Sequence, residues 1–275
     1  MRAAMKPAAT GTAGGGRRVF CAVLVAVFAA AIRATLAQHA SMDAMGGMPM
    51  AGGWTLSAAW FGPCGWQAGR AFAAFAGMWG AMTVAMMLPV LAPVLWRYRQ
   101  SLGPLGEVRA AWFVAVAGAG YFSVWMVLGA LVFPVGAASA VVAARLPALA
   151  AAMPFAAGVV VLGAGVLQLS GWKARRLACC RHGPDDACAR RAAAGAAVAW
   201  WYGVRTALRC GACCGNLMAV ALAAGLMDLR VMAVVTVAIA AERLAPAGER
   251  VARIVGGVAV GAGAAMIACA AAGLA

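Results

Sequence analysis

Acidic and imidazole side chains are scarce in this chain, with seven Asp and Glu and two His among 275 residues. Charged residues of both signs reach only 11%, against roughly 25% in a soluble domain. Most acid–base and nucleophile–base constellations need clustered carboxylates and imidazoles, and no catalytic acid, base or nucleophile stands out here. The sequence therefore does not define an enzyme. A Walker-type loop and a phosphorylated-aspartate signature are also missing, so nothing couples the chain to ATP. What fills the space is apolar: 65% of residues are hydrophobic, a composition that calls for lipid as solvent.

Charge-free runs lie between Arg70 and Arg97, Arg109 and Arg145, Arg145 and Lys173, Arg209 and Asp228, and after Arg253. Two others are less clean. One, Val19 to Ala37, carries Arg33 near its end; the other, Leu229 to about Leu244, closes on Glu242 and Arg243. About 18 or more apolar residues without a charge read as a transmembrane helix. The expected fold is all-α, a polytopic transmembrane bundle of about seven helices. It has six if the first segment is removed, since Arg17 and Arg18 precede a short apolar stretch and "TLA" before Gln38 resembles a signal cleavage site. Residues 1–37 then form a basic tail with the first helix or signal segment, 38–69 a periplasmic His/Met-rich loop, and 70–275 a six-helix domain with a cytoplasmic Cys-containing loop at 171–197.

Lys and Arg collect in cytoplasmic loops. With the N-terminus cytoplasmic, all 22 except Arg33, Arg70, Arg145 and Arg230 fall on the inner face. The net charge of +15 thus reads as topology in a bacterial inner membrane, with anionic lipid as partner and no nucleic acid. Small residues such as Gly257 and Gly261, or Gly77, Ala81 and Ala85, permit close helix approach and are compatible with an oligomer.

Sulfur is abundant, with 16 Met and nine Cys. "QHASMDAMGGMPM" sets His39, Met42, Met45, Met48 and Met50 in an outer stretch with no core to fill, and thioethers and imidazole suit copper. "AGMWGAMTVAMMLPVLAP" places Met78, Met82 and Met86 along one helix face, beside Met87; packing is the common use of such a stripe, a metal path the alternative. Pro89 and Pro93 are expected to disturb the inner half of that helix. Cys179, Cys180 and Cys188 stand in the basic loop near His182. Cys210, Cys213 and Cys214 share one face of the following helix. Thiols kept reduced in the cytosol are metal ligands or redox centres more often than disulfides, and Cys is also an ordinary small core residue. Glu242, near a helix end, is expected to find an Arg or water at the interface. Asp228 sits in the tight "LMDLR" turn.

Three separated motifs, "MWGAMTVAMMLPVLAP" at 78–93, "LQLSGWKARRLACCR" at 167–181 and "CGACCGNLMAVALAAGLMDLRVMAVVTVAIAAERL" at 210–244, resemble the bacterial family of predicted metal-binding integral membrane proteins, domain-of-unknown-function family 2182. The resemblance covers roughly residues 70 to 270. It implies roles for Met78, Met82, Met86, Met87, Cys179, Cys213, Cys214, Met218, Met227, Glu242 and Arg243. The chain departs from the pattern at "CGN", 214–216, where a bulky aromatic is expected after the cysteine pair.

Together these features point to a membrane protein that binds a soft metal, copper first, for transport or for delivery to a cuproprotein, with a periplasmic or cytoplasmic metal carrier as partner. Two alternatives stand beside it: a thiol oxidoreductase using Cys210 and Cys213, and a structural or assembly subunit without metal traffic.

Overall fold

The computed structural model describes residues 11–46, 48–50, 54–56, 68–103, 105–182, 195–225 and 228–274. Among them are eight α-helices: α1 Gly11–Met45, α2 Ala68–Ser101, α3 Glu107–Arg145, α4 Pro147–Leu169, α5 Gly171–His182, α6 Ala196–Gly225, α7 Leu229–Leu244 and α8 Gly248–Leu274. A two-residue antiparallel ladder pairs β1 (Met48–Pro49) with β2 (Thr55–Leu56). The all-α class expected from the charge-free runs is the one observed.

Six of the helices are long and apolar enough to cross a membrane: α1, α2, α3, α4, α6 and α8. The expected seventh, α7, has 16 residues. At 1.5 Å per residue it measures about 24 Å, short of the ~30 Å hydrocarbon core. Its start is fixed by Asp228, whose carboxylate accepts from the backbone N–H of Arg230 at 2.8 Å and of Val231 at 3.3 Å. That is N-capping, and it accounts for the acidic residue in the "LMDLR" turn. Pro89 and Pro93 do not end α2, which continues through both to Ser101; neighbouring helices supply the packing that makes proline tolerable in such spans.

Without a hydrophobic drive between helices in lipid, contact depends on small residues and interhelical hydrogen bonds. Between α4 and α8 these are Gly158, Gly165, Gly256 and Gly263. A Cβ at Gly158 would lie 2.9 Å from Ile267 Cγ1, and one at Gly165 2.7 Å from the Val260 nitrogen. Gly257 and Gly261, the pair expected from spacing, meet nothing within 4 Å; they lie one position off the contact row. Between α3 and α6, Gly203 lies on the Ala117 carbonyl and Gly120 on that of Trp200. Between α2 and α3, the Trp79 indole N–H donates to the Trp125 carbonyl at 2.8 Å. That carbonyl faces the residue one turn on, Gly129, where any Cβ would collide with the indole. α1 joins through Phe20 on Trp96, ring centroids 5.1 Å apart, and through Arg99, which donates to the Gly16 carbonyl at 3.0 Å and pairs with Glu107.

The buried core gathers Phe75, Trp79, Tyr98, Tyr121 and Trp125 with the methionines of α2 and the cysteines of α6. Outside, Leu131, Val135, Val234, Val237, Ile254 and Val258 are all more than 60% exposed, as lipid-facing side chains are in a chain described without its bilayer.

Candidate metal centre

The α6 cysteines stand at i, i+3 and i+4, so 3.6-residue periodicity puts them on one face. That face is turned inward: Cys210, Cys213 and Cys214 are 1%, 0% and 0% exposed. They lie midway along a helix that begins at Ala196, thirteen residues before Arg209, where the charge-free run suggested a start. Arg205 and Arg209 are exposed, so the thiols sit just inside the level where the helix stops tolerating charge. α5 brings a fourth thiol. The loop expected at 171–197 is helical as far as His182, and its buried face places Cys180 against α6, where Cys180 Sγ donates to the Arg209 carbonyl at 3.0 Å.

These sulfurs touch one another. Cys210 and Cys214 Sγ are 3.9 Å apart, and Cys213 lies near enough to Cys180 and Cys214 to interact with both. Cys210 accepts from the Tyr121 hydroxyl at 3.1 Å and from Arg243 Nη1 at 2.9 Å. Its bond to Cys213, then burial, pushes the Cys180 thiol well above the ordinary cysteine range. Met218, one turn beyond Cys214, continues the same buried face.

A second buried set supports the thiols from below. Lys173 Nζ lies 2.8 Å from Glu242 Oε2, the two side chains being 1% and 0% exposed. Lys173 also donates to the Cys213 carbonyl at 2.7 Å. Gln168 donates to Glu242, and Asn216 donates to Gln168. A chain of polar groups thus runs from α6 through α4 and α7 to α5 and back to Cys213. An unpaired charge at this depth would be expensive, and pairing with hydrogen bonds is what makes it tolerable. Glu242 was expected at the interface, and it is instead sealed inside. The pair formed because Lys173 stands on the inward face of α5, four positions after α4 ends.

The other expected site residues distribute unevenly. Met78, Met82, Met86 and Met87 are all at most 5% exposed and belong to the same core as the thiols. Cys179 is exposed beside buried Cys180. The described outer residues stand on different elements. α1 runs through Met45, so His39 and Met42 ride on a helix rather than in a loop, with Met42 packed against the core. Met48 is 57% exposed on β1, and Met50 follows it, its N–H bonded to the Trp54 carbonyl at 2.9 Å. The side chains of Met45 and His182, and residues Cys64, Cys188 and Met227, lie outside the described residues. Lys173, Gln168, Asn216 and Tyr121 were not singled out from the sequence. The signal for two of them was a polar Gln and a Lys bracketing the end of a charge-free run, inside the "LQLSGWK" stretch.

Among the described residues no three His, Cys, Asp or Glu side chains converge as a ready multidentate site. A tetrahedral zinc site, which needs four ligands, is therefore not prepared. Two sulfurs are a different matter: 3.9 Å is less than twice a ~2.3 Å metal–sulfur bond, so one ion can bridge Cys210 and Cys214. Thiolate and thioether donors select soft ions such as Cu(I), and Arg243 and Lys173 supply positive charge where thiolates would form. The donor set fits copper.

Six helices apolar enough to cross a membrane thus enclose a sulfur-rich core flanked by cationic side chains. A sequence model of the PpoB2 family, described as a copper chaperone, matches residues 76–266. The match takes in the Met-rich helix and every cysteine of the cluster, and the chain belongs to that family. No curated protein and no solved structure matches it.

Proposed function

We propose that this chain is a membrane-embedded copper chaperone that holds Cu(I) on the thiols of α5 and α6 and passes it to another protein. The observation that carries it is the buried thiol pair Cys210 and Cys214, 3.9 Å apart with Arg243 on Cys210 and with Cys180 and Cys213 in the same core, within the segment matched to a copper-chaperone family. Delivery is favoured over transport because Cys180, Cys210, Cys213 and Cys214 share one buried core on α5 and α6, while the outer His39 and Met48 stand on α1 and β1, which contribute none of those thiols. Nothing favours a thiol oxidoreductase: Cys210 and Cys213 lie sealed in mid-helix, whereas reactive cysteines occupy partly exposed sites. The Lys and Arg of α2, of α5 and of the first half of α6 support a cytoplasmic level for the thiols in a bacterial inner membrane, by the bias of basic residues toward that side.

Metal analysis of detergent-purified protein, loaded under reducing conditions, tests the proposal. Wild type is expected to retain copper through gel filtration. Cys213→Ser with Cys214→Ser is expected to lose it while eluting and melting like the parent, since Ser is nearly isosteric with Cys. Wild-type protein that emerges metal-free, or a double variant that keeps its copper, would overturn the assignment. Reporter fusions at 183–194 test the sidedness: export of that segment would be incompatible with it.

A further inference from the structure

The cluster is sealed, yet a chaperone must load and unload. Cys210, Cys213 and Cys214 are at most 1% exposed, so an ion held there needs a route past a neighbouring group. α5 offers one. Its consecutive residues Cys179 and Cys180 point about 100° apart around the helix, and the first is exposed while the second is buried in contact with Cys213. One sulfur faces outward and the next faces the store. The setting of the outer sulfur is strongly basic. Arg175 and Arg176, one turn before Cys179, are exposed, with the Arg176 guanidinium 5.3 Å from the centre of the Trp172 ring. Arg205 and Arg209 are exposed on the helix against which α5 packs. α5 itself carries no carboxylate.

We propose that Cys179 is the exchange thiol of this protein, taking copper from or giving it to a soluble carrier whose copper-bearing thiolate is flanked by carboxylates. This rests on the copper-chaperone reading above and adds the route and the chemistry of the partner. The exchange is ligand substitution. The Cys179 sulfur forms a bond to the carrier's Cu(I), the carrier's copper–sulfur bond breaks, and the Cys179 proton passes to the released carrier thiolate. The same substitution then moves the ion to Cys180 and to Cys213. Copper stays Cu(I) throughout and no electron moves.

The test follows copper transfer to the purified apo-protein from Cu(I)–glutathione, an anionic thiol complex, and from Cu(I)–cysteamine, a cationic one, by stopped-flow sulfur-to-copper absorption. Glutathione is expected to deliver roughly tenfold faster at low salt, and the advantage to shrink as ionic strength rises. Arg175→Glu with Arg176→Glu, on an exposed face, is expected to reverse the preference. Cys179→Ser is expected to slow transfer from both donors by roughly tenfold or more, because a hydroxyl is a poor ligand for Cu(I) where a thiolate is a good one, with the copper held at equilibrium unchanged. Unaltered transfer in Cys179→Ser overturns the route, and loss of equilibrium copper in that variant would make Cys179 a storage ligand instead. Equal rates from the two donors would remove the acidic carrier. Wild type that holds no copper at all would refute the chaperone reading itself, an outcome distinct from each of these.

Discussion

Lys173→Met is expected to lower the stability of the purified protein by about 3–5 kcal/mol, the usual effect of removing one partner of a buried ion pair. The loss has two parts. Glu242, fully buried, loses its counter-ion with only Gln168 left to donate to it, so it must hold an unpaired charge or take up a proton at a cost, and the Cys213 carbonyl loses its second donor. Glu242→Ala alone is expected to be similarly damaging, because it strands the ammonium. Lys173→Met combined with Glu242→Leu should recover most of the stability, since well-packed apolar replacements of a buried pair are often neutral or better. Thermal unfolding in detergent of the two single variants and the double variant measures this directly. Additive losses would show that the 2.8 Å contact contributes nothing by pairing. Copper retention in the double variant adds a second readout: if the pair only stabilises the fold, the metal should stay.

Gly203→Val is the other change expected to be severe. The missing Cβ is where the Ala117 carbonyl lies, with the Tyr121 nitrogen 2.8 Å from the same point. Both are backbone atoms of α3 and cannot swing aside, so α3 and α6 must separate. Overpacking typically costs about 1–3 kcal/mol, and more where backbone has to move. The separation would also carry the Tyr121 hydroxyl away from Cys210. Gly211→Ala is the matched control on the same helix, because its Cβ would meet nothing within 4 Å. It should be neutral or slightly stabilising by helix propensity. Yield of monodisperse protein and the unfolding midpoint separate the two, and a tolerated Gly203→Val would mean the α3–α6 contact is not as tight as described.

The helical bundle was legible in the sequence because long runs without charge leave few alternatives in lipid. The face shared by Cys210, Cys213 and Cys214 was legible for a similar reason, helical periodicity being a local property. Two features were not. Lys173 and Glu242 are 69 positions apart, and each has an ordinary explanation alone: a cytoplasmic lysine and a carboxylate near a helix end. Only the turn between α4 and α5 brings them together. The small-residue contacts failed in the same way, since Gly257 and Gly261 fit the spacing but the helix faces its partner with Gly256 and Gly263. Periodicity gives a face, and rotation about the axis decides which face is used. α7 was counted as a span on composition, although its 16 residues reach only part of the way.

That shortfall has a consequence for the lipid. A helix of about 24 Å beside partners exceeding 34 Å draws the headgroups inward at its end, at a modest cost per ångström of mismatch. Because α7 closes on Glu242 and Arg243, and Arg243 reaches Cys210 at 2.9 Å, the end of the short helix and the sulfur store lie at one depth, so any thinning of the bilayer at that end would shorten the path from water to the thiols.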